Sequence, residues 1–180
     1  MGQATDKAGS VALTPRIYAA CLAAYNAGVL HGAWIPVEDE AQVWSAIARM
    51  LQASPQPAAE EFAIHDHEDF CGLEIAEYAS VARVVEIAGF LRAHGRLGAL
   101  VLAEVGGDLA AANTALEGQY RGCFSSLADC VQALTEETVD IPKALRGYID
   151  YDAMARDARL NGEVFTVETA HDEVHVFWVC

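Results

Sequence analysis

The chain has 180 residues, is 53% hydrophobic, and carries 26 Asp and Glu against 11 Lys and Arg, a formal net charge of −15. The apolar fraction excludes a disordered acidic tail, which needs low hydrophobicity together with high charge, and the charge disfavours direct nucleic-acid binding, which needs clustered Lys and Arg. No apolar run approaches the roughly 20 residues of a membrane helix, no apolar signal segment precedes Thr14, and an odd number of cysteines, five, without an export signal points to reduced thiols in a cytoplasm, while the lack of a C-x-x-C pair disfavours a zinc ribbon.

Residues 1–14 read as a disordered leader of small and polar residues. Residues 16–25 (RIYAACLAAY) are apolar and aromatic and predict a strand. Asn26, Ala27 and Gly28 supply a turn, and residues 29–37 return as the second strand of a hairpin. Asp39 with Gln42 three residues on predicts a capped helix start. Val43, Trp44, Ile47, Met50 and Leu51 recur at helical spacing and mark its buried face. The run 54–57 (SPQP) ends it, and residues 61–67 (EFAIHDH) alternate as a third strand.

From Ser80 the pattern turns helical. Val81, Val84, Val85, Ala88 and Leu91 share a face, with His94 and Gly95 as a stop. A short apolar helix over 97–105 is broken by Gly106 and Gly107, and Asp108 caps another that ends near Gly118. Ser126 with Asp129 caps a helix to about Glu137, Pro142 suits the first position of a short helix, and Asp150 caps a helix carrying Tyr151, Met154 and Ala158. Asn161 and Gly162 mark a turn, and residues 163–169 and 174–179 form a terminal hairpin. The order predicts an α+β fold in three small domains, 15–78, 79–117 and 118–180, strung into an elongated chain.

Candidate chemistry is sparse. His65 and His67 lie two apart on a predicted strand, where alternate residues share a face, so they could chelate an imidazole-preferring metal; no further ligands complete a recognisable shell, and an edge strand of alternating polar residues explains them as well. A small metal-dependent enzyme using this pair is the alternative class. His171 and His175 flank the terminal turn without needing to converge. No G-x-S-x-G elbow or Gly-rich phosphate loop followed by Lys is present, and Asp108 behind Gly106 and Gly107 would repel phosphate. Among the cysteines, Cys21, Cys71, Cys123, Cys130 and Cys180, the pair Cys123 and Cys130 has a spacing that fits one helix face, and buried thiols acting as small hydrophobes are the default. No cofactor, metal or catalytic residue is expected.

The acids themselves are the remaining feature. Residues 1–59 hold 4 acids and 3 bases, residues 60–103 hold 8 and 3, and residues 104–180 hold 14 and 5. Solubility alone accounts for net charge; the functional alternative is a partner built to bind a polyanion. B-DNA carries one charge per about 1.7 Å of axis, so fifteen net charges match roughly 25 Å of duplex. The candidate surface comprises Glu60, Glu61, Asp66, Glu68, Asp69, Glu74, Glu77 and Glu86, then Glu104, Asp108 and Glu117, then Asp129, Glu136, Glu137, Asp140, Asp150, Asp152 and Asp157. Glu74/Glu77, Glu104/Asp108 and Glu136/Asp140 would lie about 5–6 Å apart if each pair shared a helix. The apolar terminal hairpin, with Phe165, Val167, Val176 and Trp178, offers more hydrophobic surface than one small domain covers, and nominates a homodimer interface.

Residues 14–38 (TPRIYAACLAAYNAGVLHGAWIPVE), 60–70 (EEFAIHDHEDF), 141–165 (IPKALRGYIDYDAMARDARLNGEVF) and 174–178 (VHVFW) resemble, in order and spacing, the ArdA-type antirestriction proteins. The resemblance spans residues 14–178. It implies an elongated, three-domain homodimer that mimics duplex DNA and occupies the DNA-binding groove of type I restriction–modification enzymes. Such proteins are carried by plasmids and conjugative transposons, whose incoming DNA they protect. It further implies the methyltransferase core as partner, no enzymatic activity, no cofactor, and no direct binding to nucleic acid or membrane. An acidic inhibitor of some other DNA-binding protein is the neighbouring alternative. Arg83, Arg92, Arg96 and Arg121 interrupt the acidic series, and are expected on the side of the molecule away from it.

Overall fold

A computed structural model describes residues 12–179; most of the expected leader, and Cys180, lie outside that range. The fold is mixed α+β. The element order is β1 (Arg16–Cys21), α1 (Leu22–Asn26), β2 (Gly32–Pro36), α2 (Glu40–Gln52), β3 (Phe62–Glu68), α3 (Val81–Glu104), α4 (Leu109–Thr114), β4 (Tyr120–Phe124), α5 (Leu127–Thr138), α6 (Tyr151–Leu160), β5 (Val164–Ala170) and β6 (Glu173–Trp178). The strands make two antiparallel three-stranded sheets, ordered β2-β1-β3 and β4-β6-β5. Two compact units result, one ending at Gly95 and one beginning at Arg96. That boundary falls inside the 79–117 segment, so the helices expected there are divided between the two. Among the described residues, no helix is long and apolar enough to cross a membrane.

In the first unit, β1 is the central strand and is buried almost throughout: Ile17, Ala19 and Cys21 are fully buried and Ala20 nearly so. The strand is shorter than the apolar run predicts. Leu22, Ala23 and Ala24 are strong helix formers, and the chain turns there into α1 before Gly28 reverses it at φ 74. Periodicity alone does not separate a buried strand from a short buried helix. Helix α2 starts as expected, with Asp39 accepting a hydrogen bond from the Gln42 amide at 2.9 Å, and buries Val43, Ile47 and Met50. Trp44 departs from the expected buried face and is 46% exposed. It sits at the margin of the apolar stripe, with its ring edge-on to Phe62 and its Nε1 donating to Glu40 at 3.2 Å. At the close crossing of β1 and β2, Gly32 is the residue that fits: a Cβ there would lie 2.6 Å from the Ala19 carbonyl oxygen.

The stop expected at His94 and Gly95 is present as a break inside α3, where Gly95 adopts φ 59 and ψ −147. The two glycines after α3, Gly106 and Gly107, both take positive φ, and Asp108 caps α4 by accepting from the Ala110 and Ala111 amides. A π-helical turn, Ala115–Gln119, leads into β4.

Strand β4 was not expected. Gly122 at φ 125 and the register shift between Tyr120 and Gly122 interrupt its alternation, so the short run YRGCF carries no clear period. Its presence puts Cys123 on a strand and Cys130 on α5, so the two cysteines do not share a helix face. Ser126 and Asp150 cap α5 and α6 as read. Pro142 opens a turn, with its carbonyl bonded to the Leu145 amide, and the only helical geometry there is a 3-10 turn at Arg146–Tyr148. On α6 it is Ala155 and Ala158 that are buried, while Met154 is 40% exposed. The α5 and α6 faces meet β5 and β6 around Leu127, Cys130, Val131, Val164 and Val176.

Candidate functional site

All eighteen candidate carboxylates are exposed, and among the described residues no charged side chain is buried. Taking a carboxylate out of water without a partner costs several kcal/mol, which keeps such groups outside. They are distributed over both units. Residues 1–95 hold 12 acids and 5 bases; residues 96–180 hold 14 and 6. The charge is therefore nearly even between the structural units.

Few of these carboxylates are neutralised. Among the described residues, Glu68 pairs with Arg16 and Glu86 with Arg83, and Glu77 lies 3.9 Å from the His65 imidazole. Others serve the backbone: Asp108 and Asp150 are helix caps, Asp66 accepts from the His67 amide, and Asp69 accepts from the Thr14 hydroxyl. Of the arginines that interrupt the series, Arg92 donates to the carbonyl oxygens of Val37 and Glu38 at 2.8 and 3.5 Å, tying α3 to the segment after β2.

The three acid pairs expected at helical spacing are not formed that way. Glu74 and Glu77 lie in the loop between β3 and α3. Glu104 ends α3 while Asp108 caps α4, with Gly106 and Gly107 between them. Glu136 is on α5, and Asp140 lies beyond that helix's end. Acids do converge at places that no spacing in the sequence marks. Asp129, Asp150 and Asp152 line one polar groove of about 530 Å³ at the starts of α5 and α6. Glu60 and Glu61 line a second groove, of about 680 Å³, whose other walls include Trp44, Phe62 and Tyr78. There the Tyr78 hydroxyl hydrogen-bonds to Glu77, which raises the phenol above its ordinary pKa.

His65 and His67 do not converge. The β1–β3 register passes from Tyr18↔Asp66 to Ala19↔Ile64, so His65 is the extra residue of a bulge and the two-residue rule fails across it. The His65 ring packs edge-on against Tyr25. The His67 Nε2 lies 2.9 Å from the Leu73 carbonyl oxygen and 3.3 Å from the Ile75 amide, inside the 69–80 loop. Among the described residues, no group of three His, Cys, Asp or Glu is placed to hold a metal. The expected result follows: H65Q should change stability little, whereas H67Q should cost about 1 kcal/mol through the lost loop contact, read by chemical denaturation. A stoichiometric metal lost together with activity in the double variant would contradict this assignment.

His175 has both ring nitrogens engaged, Nδ1 2.8 Å from the Tyr120 hydroxyl and Nε2 3.0 Å from the Thr169 hydroxyl, and burial pushes its pKa below the ordinary value. His171 is on the exposed turn beside Asp172. The nominated interface residues divide. Val176 is fully buried and Val167 nearly so, while Trp178 packs against the α5–α6 core. Phe165 stacks on Phe177 at 4.7 Å. Within this unit β4 pairs along the edge of β6 and makes it a central strand, and α5 and α6 pack against Val164, Val174, Val176 and Trp178. The apolar surface left open is a different groove of about 680 Å³, with Leu134, Val139 and Met154 beside Trp178.

Residues 17–173 match the family described as Antirestriction protein (ArdA), which covers most of the chain. No curated protein matches the sequence.

Proposed function

This chain belongs to the ArdA family of antirestriction proteins, and we propose that it inhibits by mimicking duplex DNA. It occupies the DNA-binding groove of a type I restriction–modification enzyme, on the methyltransferase core, as a cytoplasmic, non-catalytic inhibitor that protects incoming plasmid or transposon DNA. The observation that carries this reading is the exposure of all eighteen candidate carboxylates, of which Glu68 and Glu86 pair with arginines. A net charge of −15 left open to solvent complements a groove built for phosphates.

Duplex DNA and this chain should exclude one another from the purified core. Simultaneous binding without mutual weakening would sink the mimicry. Raising salt should weaken both ligands, but DNA more steeply, because DNA releases condensed counterions when bound whereas a protein of lower charge density is mainly screened. The comparison is made by measuring both affinities across one salt series. An affinity flat with salt would argue for a conventional lock-and-key site.

The same reading includes a homodimer through the unit that begins at Arg96. Support comes from the open apolar groove beside Trp178 and the exposed Val139, Met154 and Leu160. Light scattering at micromolar concentration should give twice the monomer mass, and M154E should shift it toward the monomer. A monomeric wild type would remove the dimer from the proposal.

A further inference from the structure

We propose that the groove between α2 and the start of β3 is an aromatic cage for a cation, and that its occupant is an arginine side chain of the protein partner. Three aromatic residues line it: Trp44, Phe62 and Tyr78, over an apolar floor that includes Leu22 and Ile47. Trp44 and Phe62 stand at 89° with centroids 5.7 Å apart, so the groove has two mutually perpendicular ring planes. Trp44 is held in place by its bond to Glu40, although nearly half its surface is open. Glu60 and Glu61 stand at the same groove, and none of its lining residues is a Lys or Arg.

This combination selects one chemistry. Aromatic faces and carboxylates both present negative potential, which repels anions. A purely apolar ligand would strip water from Glu60 and Glu61 without replacing it. A cation with flat apolar faces satisfies the rings and the acids together. Guanidinium fits better than ammonium, since it stacks on a ring while its edge donates to carboxylate. The chain already makes this arrangement with its own residues: the Arg16 guanidinium lies 5.0 Å over the Trp34 ring and pairs with Glu68. The Trp44 groove offers the same ring-and-carboxylate pattern without an arginine of its own. Its volume of about 680 Å³ exceeds one side chain and leaves room for the partner's flanking residues.

The inference rests on the proposed function only for the source of the arginine, a basic DNA-binding surface. The cage is tested without that partner. The full-length, isotope-labelled chain is titrated with N-acetyl-arginine amide and with the uncharged N-acetyl-citrulline amide while the three tryptophan indole N–H resonances are followed. The arginine probe should shift the Trp44 resonance saturably and leave Trp34 and Trp178 in place. Citrulline should bind at least about fivefold more weakly, and E60Q/E61Q should weaken the arginine probe by a similar factor. Both substitutions are at exposed positions, so folding is retained. Equal response to citrulline, or an unchanged response in E60Q/E61Q, would overturn the cage. A chain that competes with DNA yet ignores the arginine probe loses the cage and keeps the proposed function; the reverse outcome removes the mimicry and keeps the cage.

Discussion

Replacing Glu60, Glu61, Asp66, Glu68 and Asp69 together by their amides should weaken inhibition by about 10- to 100-fold, while each single replacement stays within about threefold. A mimic of many phosphates spreads its binding energy, and an exposed charge interaction is worth about 0–1 kcal/mol, so five removed together cost about 1.4–2.7 kcal/mol. The five lie close along the chain, around β3, and all are exposed. Their removal takes the net charge from −15 to −10. The structure also shows which of them carry a second duty. An amide oxygen at Asp66 or Asp69 can still accept from the His67 amide or the Thr14 hydroxyl. At Glu68 the change leaves Arg16 without its counter-charge, which adds repulsion toward a basic groove. Amides therefore separate charge from fold better than alanines. Inhibition constants for the five single variants and the block, with circular dichroism to verify folding, decide the matter. A single carboxylate carrying nearly all the loss would mean a localised site instead of a mimic.

Local signals were the most legible part of this chain. Asp39, Asp108, Ser126 and Asp150 cap helices as read, because a cap depends on residues within one turn. The same holds for Gly95, whose positive φ breaks α3, and for Gly162 in the turn before β5. Exposure of the acids was legible from solvation cost alone. What failed were inferences that carried a regular period across an irregularity. The bulge at His65 separates two histidines that a regular strand would align. Gly122 and the shift beside Tyr120 hid β4, and without β4 the terminal hairpin looked open to a partner. The Trp44–Phe62–Tyr78 groove was illegible for another reason. Its walls come from residues 16 to 18 positions apart, brought together by packing of α2 against the sheet and by the loop that follows β3.

Phe177→Ala should cost about 3–5 kcal/mol, the range for deleting a fully buried aromatic side chain. Phe177 is fully buried on β6, the central strand of the β4-β6-β5 sheet. Its ring lies parallel to Phe165 at 4.7 Å and 5.2 Å from Tyr120, so one truncation opens a cavity and removes two ring contacts. Phe165 is only half-buried, so Phe165→Ala should cost less, about 1–2 kcal/mol. The measurement is urea unfolding read by Trp178, in a background where Trp34 and Trp44 are replaced by Phe, because Trp178 reports on the unit that contains Phe177. The consequence reaches function through the same unit. It carries 14 of the 26 acids, and if it unfolds, more than half of the anionic display loses its arrangement. Inhibition by the Phe177 variant should therefore fail at a lower temperature than inhibition by the block of amides around β3, which leaves this unit intact. A Phe177 variant with the wild-type urea midpoint would show that β6 is not the centre of a packed core. The placing of Val176 and Phe177 at the centre of this unit would then have to be abandoned.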